Sequence, residues 1–282
     1  SEMCIRDREI LFLLPLLGYL LGFTFLPVLS TFYLSLCDKS GNPFPTLESL
    51  RTIVHHIYFK QALFNTLFIT FIGLGLELGL GMGLAILLTK KFRFRGFFMA
   101  LMLLPLGVPT IVVASNMRYL FDTSGWVNEL LYRLGIIHLP VDWIGGGMRT
   151  LFTIIISDMW KVTPFIILIL MAGLGSIPRE LYEAAEVDGA GPWKQFRYIT
   201  LPLLKPFITM ALIIRGIDAF RIFELPLALS GQSTMVLSTY AYFEYRNFNN
   251  PYTSAAASII LLSIILLSIL LYIKITGSED IK

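Results

Sequence analysis

The chain has 282 residues, and 22 Lys and Arg against 19 Asp and Glu leave a net charge of +3, too little to support nucleic-acid binding. Charged residues make up 15% of it and AVILMFWYC residues 56%, with a mean hydropathy of +0.74, whereas a soluble domain carries about 25% charged residues, so a water-soluble globule is excluded. The expected class is an all-α polytopic membrane protein with a single transmembrane domain over 1–282, in which 22 Gly and 14 Pro are tolerated because neighbouring helices re-satisfy freed backbone groups.

Crossing a hydrocarbon core of about 30 Å takes roughly 20 helical residues. Six stretches qualify, at 10–36, 64–88, 97–120, 151–175, 203–223 and 255–273. The first is longer than a signal-peptide core and is not followed by a small-residue cleavage pattern, so it is expected to stay as helix one. Cys4 and Cys37 flank it, and a helix between them would hold them about 50 Å apart, which excludes a bridge within the chain. The connection 89–96, TKKFRFRG, carries Lys90, Lys91, Arg93 and Arg95 with no acid and is expected in the cytoplasm. Six spans then place 176–202 and both termini inside, and 37–63, 121–150 and 224–254 outside. Aromatic sets such as Phe92, Phe94, Phe97 and Phe98, or Tyr240, Tyr242, Phe243 and Tyr245, are expected at the two interfaces. Three histidines, two of them adjacent at His55 and His56, offer no metal-ligand set, and neither HExxH nor GxSxG occurs, so no metal ligand and no catalytic residue is assigned.

Charges inside the spans invite a functional question, because one at the bilayer centre costs about 2.5–3.5 kcal/mol on insertion scales. Asp158 and Lys161 lie about 10 and 15 Å from the outer end of span four, while Arg215 and Asp218 lie about 18 and 22 Å from the inner end of span five. All four fall in one layer near the midplane, and each pair is spaced i,i+3 on a shared face. Transporters hold substrate at that depth, and sugars need charged groups for their hydroxyls and aromatic rings for their apolar faces. The same four groups also fit a second reading, mutual neutralisation across a helix interface. Glu77, near the middle of span two, is expected to pair with a neighbouring helix or subunit rather than with substrate.

Between spans four and five the chain reads SIPRELYEAAEVDGAGPWKQFRYITLPLLKP, from Ser176 to Pro206. Pro178 suits a first helical turn, Arg179 to Asp188 is a good helix former, Gly189 and Gly191 can supply a φ > 0 stop, and Pro192 opens a second short helix. A helix-turn-helix hairpin lying parallel to the membrane is expected over 176–202.

Within it, Glu183-Ala184-Ala185, three residues, Gly189, nine residues, Ile199, one residue and Leu201-Pro202 resemble the EAA coupling motif of ABC importer permeases in residue type and in spacing. The resemblance runs from about Ile10 to Lys274 and narrows to carbohydrate-type permeases of the maltose, trehalose and glycerol-phosphate class. It is carried by Asn65-Thr66-Leu67, Pro105 and Pro109, Gly125-Trp126-Val127-Asn128, Trp160 with Pro164-Phe165, Asp188-Gly189-Ala190, and the run from Ile217 to Phe223. It implies the type I importer permease fold, six spans with a coupling hairpin, and coupling to an ATPase through Glu183, Ala184, Ala185, Asp188 and Gly189. It implies substrate contact at Lys161, Val162 and Phe165 in span four and at Arg215, Asp218, Ala219 and Ile222 in span five, with Asp158 joining them from the charged layer. Residue types differ from the maltose-type relatives at most of these positions, so a location is implied and not the same sugar. The extra N-terminal spans and large outer domain of maltose-type permeases are not found, and no such domain is expected.

The partners implied are a second permease subunit completing a heterodimer, a dimer of ATPase subunits that binds ATP and Mg, and an extracellular sugar-binding protein that delivers a di- or oligosaccharide such as trehalose or maltose. This chain itself has no GxxxxGK[ST] loop, so no cofactor is assigned to it and it is not expected to be an enzyme. The expected location is the plasma or inner membrane, among lipid. An ion-coupled secondary transporter of a polar solute is the alternative, but such folds normally carry internal repeats, and the two sets of three spans show none.

Overall fold

Long apolar runs give the main helices of the computed structural model, which describes residues 13–38 and 44–277. Five are long and apolar enough to cross a membrane: α1 (Leu13–Ser35), α3 (Ile57–Thr89), α7 (Gly147–Ser176), α9 (Pro192–Phe220) and α12 (Pro251–Gly277). Between them lie α2 (Glu48–His55), α4 (Arg95–Leu103), α5 (Thr110–Leu120), α6 (Trp126–Arg133), α8 (Arg179–Val187), α10 (Glu224–Ser230) and α11 (Leu237–Arg246). No strand occurs among the described residues. Residues 10–12 of the expected first span, Cys4 and both chain ends lie outside the described residues.

The stretch 97–120, expected as one span, is instead the sixth candidate crossing in broken form. Its halves α4 and α5 meet at an angle of 100° around a 3₁₀ turn over Leu104–Gly107. Pro105 and Pro109 cause the break: neither has an N–H to donate, and Pro109 is extended at ψ 139° before α5 starts.

Contacts divide the chain into two compact units, Ser1–Lys60 with Leu237–Ile264, and Gln61–Val236 with Ile265–Lys282. In the first, α1 exposes nearly its whole length, while Ile53, Phe59, Tyr240 and Phe243 are buried. Ser49 Oγ donates to the Cys37 carbonyl at 2.7 Å and fixes the approach to α2.

The second unit is built on two apolar clusters. One joins Ile69 of α3, Val113 and Met117 of α5, Leu151, Ile154 and Ile155 of α7, and Leu225 and Leu229 of α10. Residues 224–236, expected as part of an outer loop, therefore contribute to the core through the i,i+4 leucines of α10; at seven residues that helix is far too short for a span-length hydropathy window to register. Asn65 Nδ2 holds the following segment by donating to the Met235 carbonyl at 2.7 Å. The other cluster joins Ala85 and Leu88 of α3 to Ile166, Ile167 and Leu170 of α7. Glycines set the helix spacing here: a Cβ on Gly81 would lie 2.8 Å from Ile166, and one on Gly173 would lie 2.6 Å from Leu204 and Phe207 of α9. Small residues of this kind let membrane helices pack close.

Asn128 organises the segment between α5 and α7. Its Nδ2 donates to the carbonyls of Asp122, Thr123 and Val141, and its Oδ1 accepts the N–H of Val141 at 3.1 Å and the indole N–H of Trp143 at 3.0 Å. Asp122 accepts the Ser124 N–H at 3.1 Å and its hydroxyl at 2.8 Å, bonds that hold its carboxyl below the usual carboxylate range. Asn128→Ala strands the Val141 and Trp143 donors and is expected to cost about 2 kcal/mol. Limited proteolysis is the check: cleavage between 122 and 145 rises in the variant and is unchanged elsewhere.

Candidate functional site

Pro178 cannot continue α7 and stands extended at ψ 136°, so the chain turns at Ile177 and restarts as α8. At the other end the helix is stopped by a full Schellman cap. The Gly189 N–H donates to the Glu186 carbonyl at 3.0 Å and the Ala190 N–H to the Ala185 carbonyl at 2.8 Å, while Gly189 takes φ +75°. Gln195 Nε2 then bonds the Ala190 carbonyl at 3.1 Å, and the hydroxyls of Tyr182 and Thr200 bond at 2.9 Å, which tie α8 to the start of α9.

Glu183, Ala184, Asp188 and Gly189 are exposed and Ala185 is half-buried, so all five coupling positions expected from the sequence sit on one short, solvent-facing element. Val187 is 89% exposed and Trp193 74%, an apolar surface left uncovered by this chain. The expected second short helix does not stand alone. It is the first turn of α9, which runs from Pro192 through a π turn at Phe196–Thr200 into the span, and Gly191 has an ordinary φ of −69°. Pro202 supplies the reason: its ring would crowd the carbonyl four residues back, and the wider turn, closed by the Leu201 N–H on the Phe196 carbonyl, relieves it without ending the helix.

Only Gly189 in this loop needs a left-handed backbone. Gly189→Ala is expected to destabilise the cap by about 1 kcal/mol and Gly189→Asn by less. Amide hydrogen exchange over 184–190 is the check, since it should be fastest in the Ala variant, slower in Asn and slowest in wild type.

The intramembrane charges divide into three sets. Arg215 of α9 donates through Nε to Glu77 Oε2 at 2.9 Å, through Nη2 to Glu77 Oε1 at 3.0 Å, and through Nη2 to Asp158 Oδ2. Glu77 is 0% exposed, Arg215 3% and Asp158 8%, so one guanidinium clamps α3, α7 and α9 together in the buried interior. Lys161, one turn from Asp158, donates instead to Thr110 Oγ1 at 2.7 Å and so holds the first residue of α5, just past the break. Asp218 is exposed and accepts from Arg221 Nε at 3.1 Å and Nη2 at 2.6 Å. Phe165 is half-buried, and half-buried Ile222 packs against the cluster that holds Leu225.

The structure thus brings together Glu77, Asp158 and Arg215 and sets Lys161 and Asp218 apart with partners of their own. Thr110 and Arg221 went unassigned in the sequence; the only signal for Thr110 was its position after Pro109. Formally two carboxylates face one guanidinium, a buried set of net charge −1. Such a set is costly to bury and far costlier to break.

Five span-length helices, one broken crossing and an exposed, glycine-capped EAA helix after the fourth crossing fit the permease of an ABC importer. The chain belongs to the family of binding-protein-dependent transport system inner membrane components, whose model matches residues 75–275. It is 38% identical over 286 aligned residues to the trehalose/maltose transport system permease protein MalF of Thermococcus litoralis, covering 98% of this chain and 96% of that one. It is 33% identical to the arabinooligosaccharides transport system permease protein AraP of Bacillus subtilis, covering 95% and 88%. The solved structure of a bacterial alginate ABC transporter, in complex with an alginate pentasaccharide-bound periplasmic protein, contains a chain that superposes with a TM-score of 0.81 at 25% identity, covering 96% of this chain and 94% of that one. The protein is accordingly a membrane-embedded permease subunit that works with a binding protein, and ATP hydrolysis belongs to another subunit.

Proposed function

We propose that this chain forms one half of the membrane pathway of an importer for a di- or oligosaccharide such as trehalose or maltose. Full-length similarity to permeases named for trehalose/maltose and arabinooligosaccharide transport carries the substrate class. The second half of the pathway comes from another permease, two ATPase copies dock on the exposed hairpins, and an external sugar-binding protein delivers the cargo. Both termini and α8 face the cytoplasm, an orientation supported by the four cations of the 89–96 connection.

Sugar passes the midplane layer around Lys161, Phe165, Asp218 and Ile222. Asp158 and Arg215 serve the same layer from behind, as the buried frame that fixes the helices bearing those groups. ATP closes the ATPase dimer and draws the hairpins together, and the spans open outward; hydrolysis reverses the motion and releases sugar inside.

The test is to purify the tagged chain from its own membrane in mild detergent and identify what accompanies it. An ATPase and a second permease should co-purify, and the system's external binding protein should bind trehalose or maltose. A chain that emerges alone and moves solute without ATP would refute the assignment.

A further inference from the structure

The outward-turned face of α5 carries polar residues that none of the roles above uses. Its other face is fixed: Val113, Ala114 and Met117 join one apolar cluster with Leu151, Ile154 and Ile155 of α7, and Lys161 of α7 holds Thr110 at the start of α5. The short helix therefore runs antiparallel to the first half of α7, from the level of Lys161 toward the end at Gly147. Val112, Ser115, Asn116 and Tyr119, spaced i, i+3, i+4 and i+7, stand away from that cluster and are all exposed.

Depth decides what this face meets. Asn116 lies six residues beyond Thr110, about 9 Å from the Lys161 layer, whereas half of a hydrocarbon core is about 15 Å thick. A carboxamide turned toward lipid at that depth is costly, because nothing there can bond it. The lipid-facing surface of this protein has another composition: from Leu266 to Ile273 every exposed residue of α12 is Leu or Ile. Tyr119, 82% exposed, would by itself suit an interfacial belt, but Asn116 one turn deeper does not. Ser115 Oγ spends its donor on the Ile111 carbonyl at 2.8 Å, and Arg118 turns to the Ala228 carbonyl of α10 at 3.4 Å. Asn116 and Tyr119, spaced i,i+3, are left for whatever fills the space beside them. A carboxamide both donates and accepts, as each sugar hydroxyl does, and a phenol ring covers the apolar face of a pyranose.

We infer that α5 forms the outer wall of the sugar route and that Asn116 and Tyr119 make a sugar-binding subsite on it, met by the cargo before the Lys161 layer. The cargo and the outward direction rest on the function and orientation proposed above; the polar wall does not. The subsite continues the route without a gap, because the first residue of α5 is the one that Lys161 holds.

Thiol labelling of the assembled transporter in vesicles tests the wall without requiring sugar, with the impermeant, anionic reagent sulfonatoethyl methanethiosulfonate supplied on both faces. In a Cys4→Ser/Cys37→Ser background, Asn116→Cys should react and Leu266→Cys should not, because apolar surroundings suppress the reactive thiolate. For the subsite, Asn116→Leu should lower uptake of trehalose or maltose roughly tenfold, the worth of one or two neutral hydrogen bonds, and Asn116→Gln should restore most of it. Tyr119→Ala should lower uptake likewise and Tyr119→Phe should not, since the ring remains. Both side chains are exposed, so wild-type melting is expected of every variant and separates a lost contact from a lost fold. An Asn116→Cys thiol as silent as that of Leu266→Cys would overturn the inference by placing the face against lipid or the second permease, and so would wild-type uptake by Asn116→Leu. A transporter whose Asn116→Cys thiol reacts but which carries neither trehalose nor maltose would refute the sugar class alone, and Asn116→Leu should then still slow the solute it does carry.

Discussion

Arg215→Ala is expected to abolish recovery of folded protein, because it leaves the Glu77 and Asp158 carboxylates facing each other in an interior where Glu77 has 0% exposure. Removing one partner of a buried ion set costs about 3–5 kcal/mol, a large share of a domain's whole stability. Arg215→Lys should rescue only in part. An ammonium is a point charge, whereas the guanidinium reaches both Glu77 oxygens and Asp158 through separate N–H groups.

The informative variant is Glu77→Gln/Asp158→Asn/Arg215→Met, which empties the site of charge at similar volume. Replacing a buried ion set outright is often neutral or stabilising, so this triple should fold. Fluorescence-detected size-exclusion chromatography and melting of the detergent-solubilised complex read the stability, and uptake by vesicles reads the function. A triple variant that folds and still carries sugar confines the set to framing the helices; one that folds without carrying sugar gives it a direct part in the pathway. Wild-type melting of Arg215→Ala would contradict the clamp itself.

Five of the spans and the first helix of the hairpin were legible in the sequence because each rests on local chemistry. Apolar length alone marks a crossing, and the EAA spacing with Gly189 encodes a helix, its cap and the departing span within 20 residues. What stayed hidden depends on distant contacts. The depth of Glu77, Asp158 and Arg215 could be read along each helix, but which face of each meets which neighbour is decided by packing. Gly81 against Ile166 and Gly173 against Leu204 and Phe207 set those rotations. Hence both readings of the four charges had to stand at the sequence level, and Asp218, on the same face as Arg215 by spacing, proves to be exposed and paired with Arg221. The burial of α10 was hidden for a similar reason. Its seven residues carry too little hydropathy to announce a core role, and Leu225 and Leu229 pack with Val113 and Met117 of α5, which lies beyond the break at Pro105 and Pro109.

Glu183→Gln should leave the protein folded and assembled yet uncouple it. Glu183 stands exposed in the middle of α8, and among the described residues it has no side-chain partner, so its removal costs this chain almost nothing. On the docking proposed above, Glu183 meets the ATPase beside Val187 and Trp193, both largely uncovered by this chain. A charge-assisted hydrogen bond to such a partner is worth about 1.5–3 kcal/mol, so its loss should reduce sugar-stimulated ATP hydrolysis roughly 10- to 150-fold while basal hydrolysis persists. Glu183→Lys should go further, since it puts a cation where the partner offers donors, and should release the ATPase during purification. Gly189→Ala is expected to be milder because the contact survives on a loosened cap. Hydrolysis assays on the reconstituted complex, with and without sugar-loaded binding protein, separate these outcomes. Full stimulation in Glu183→Gln would place the contact elsewhere on the hairpin, with the apolar surface of Val187 and Trp193 as the next to be truncated.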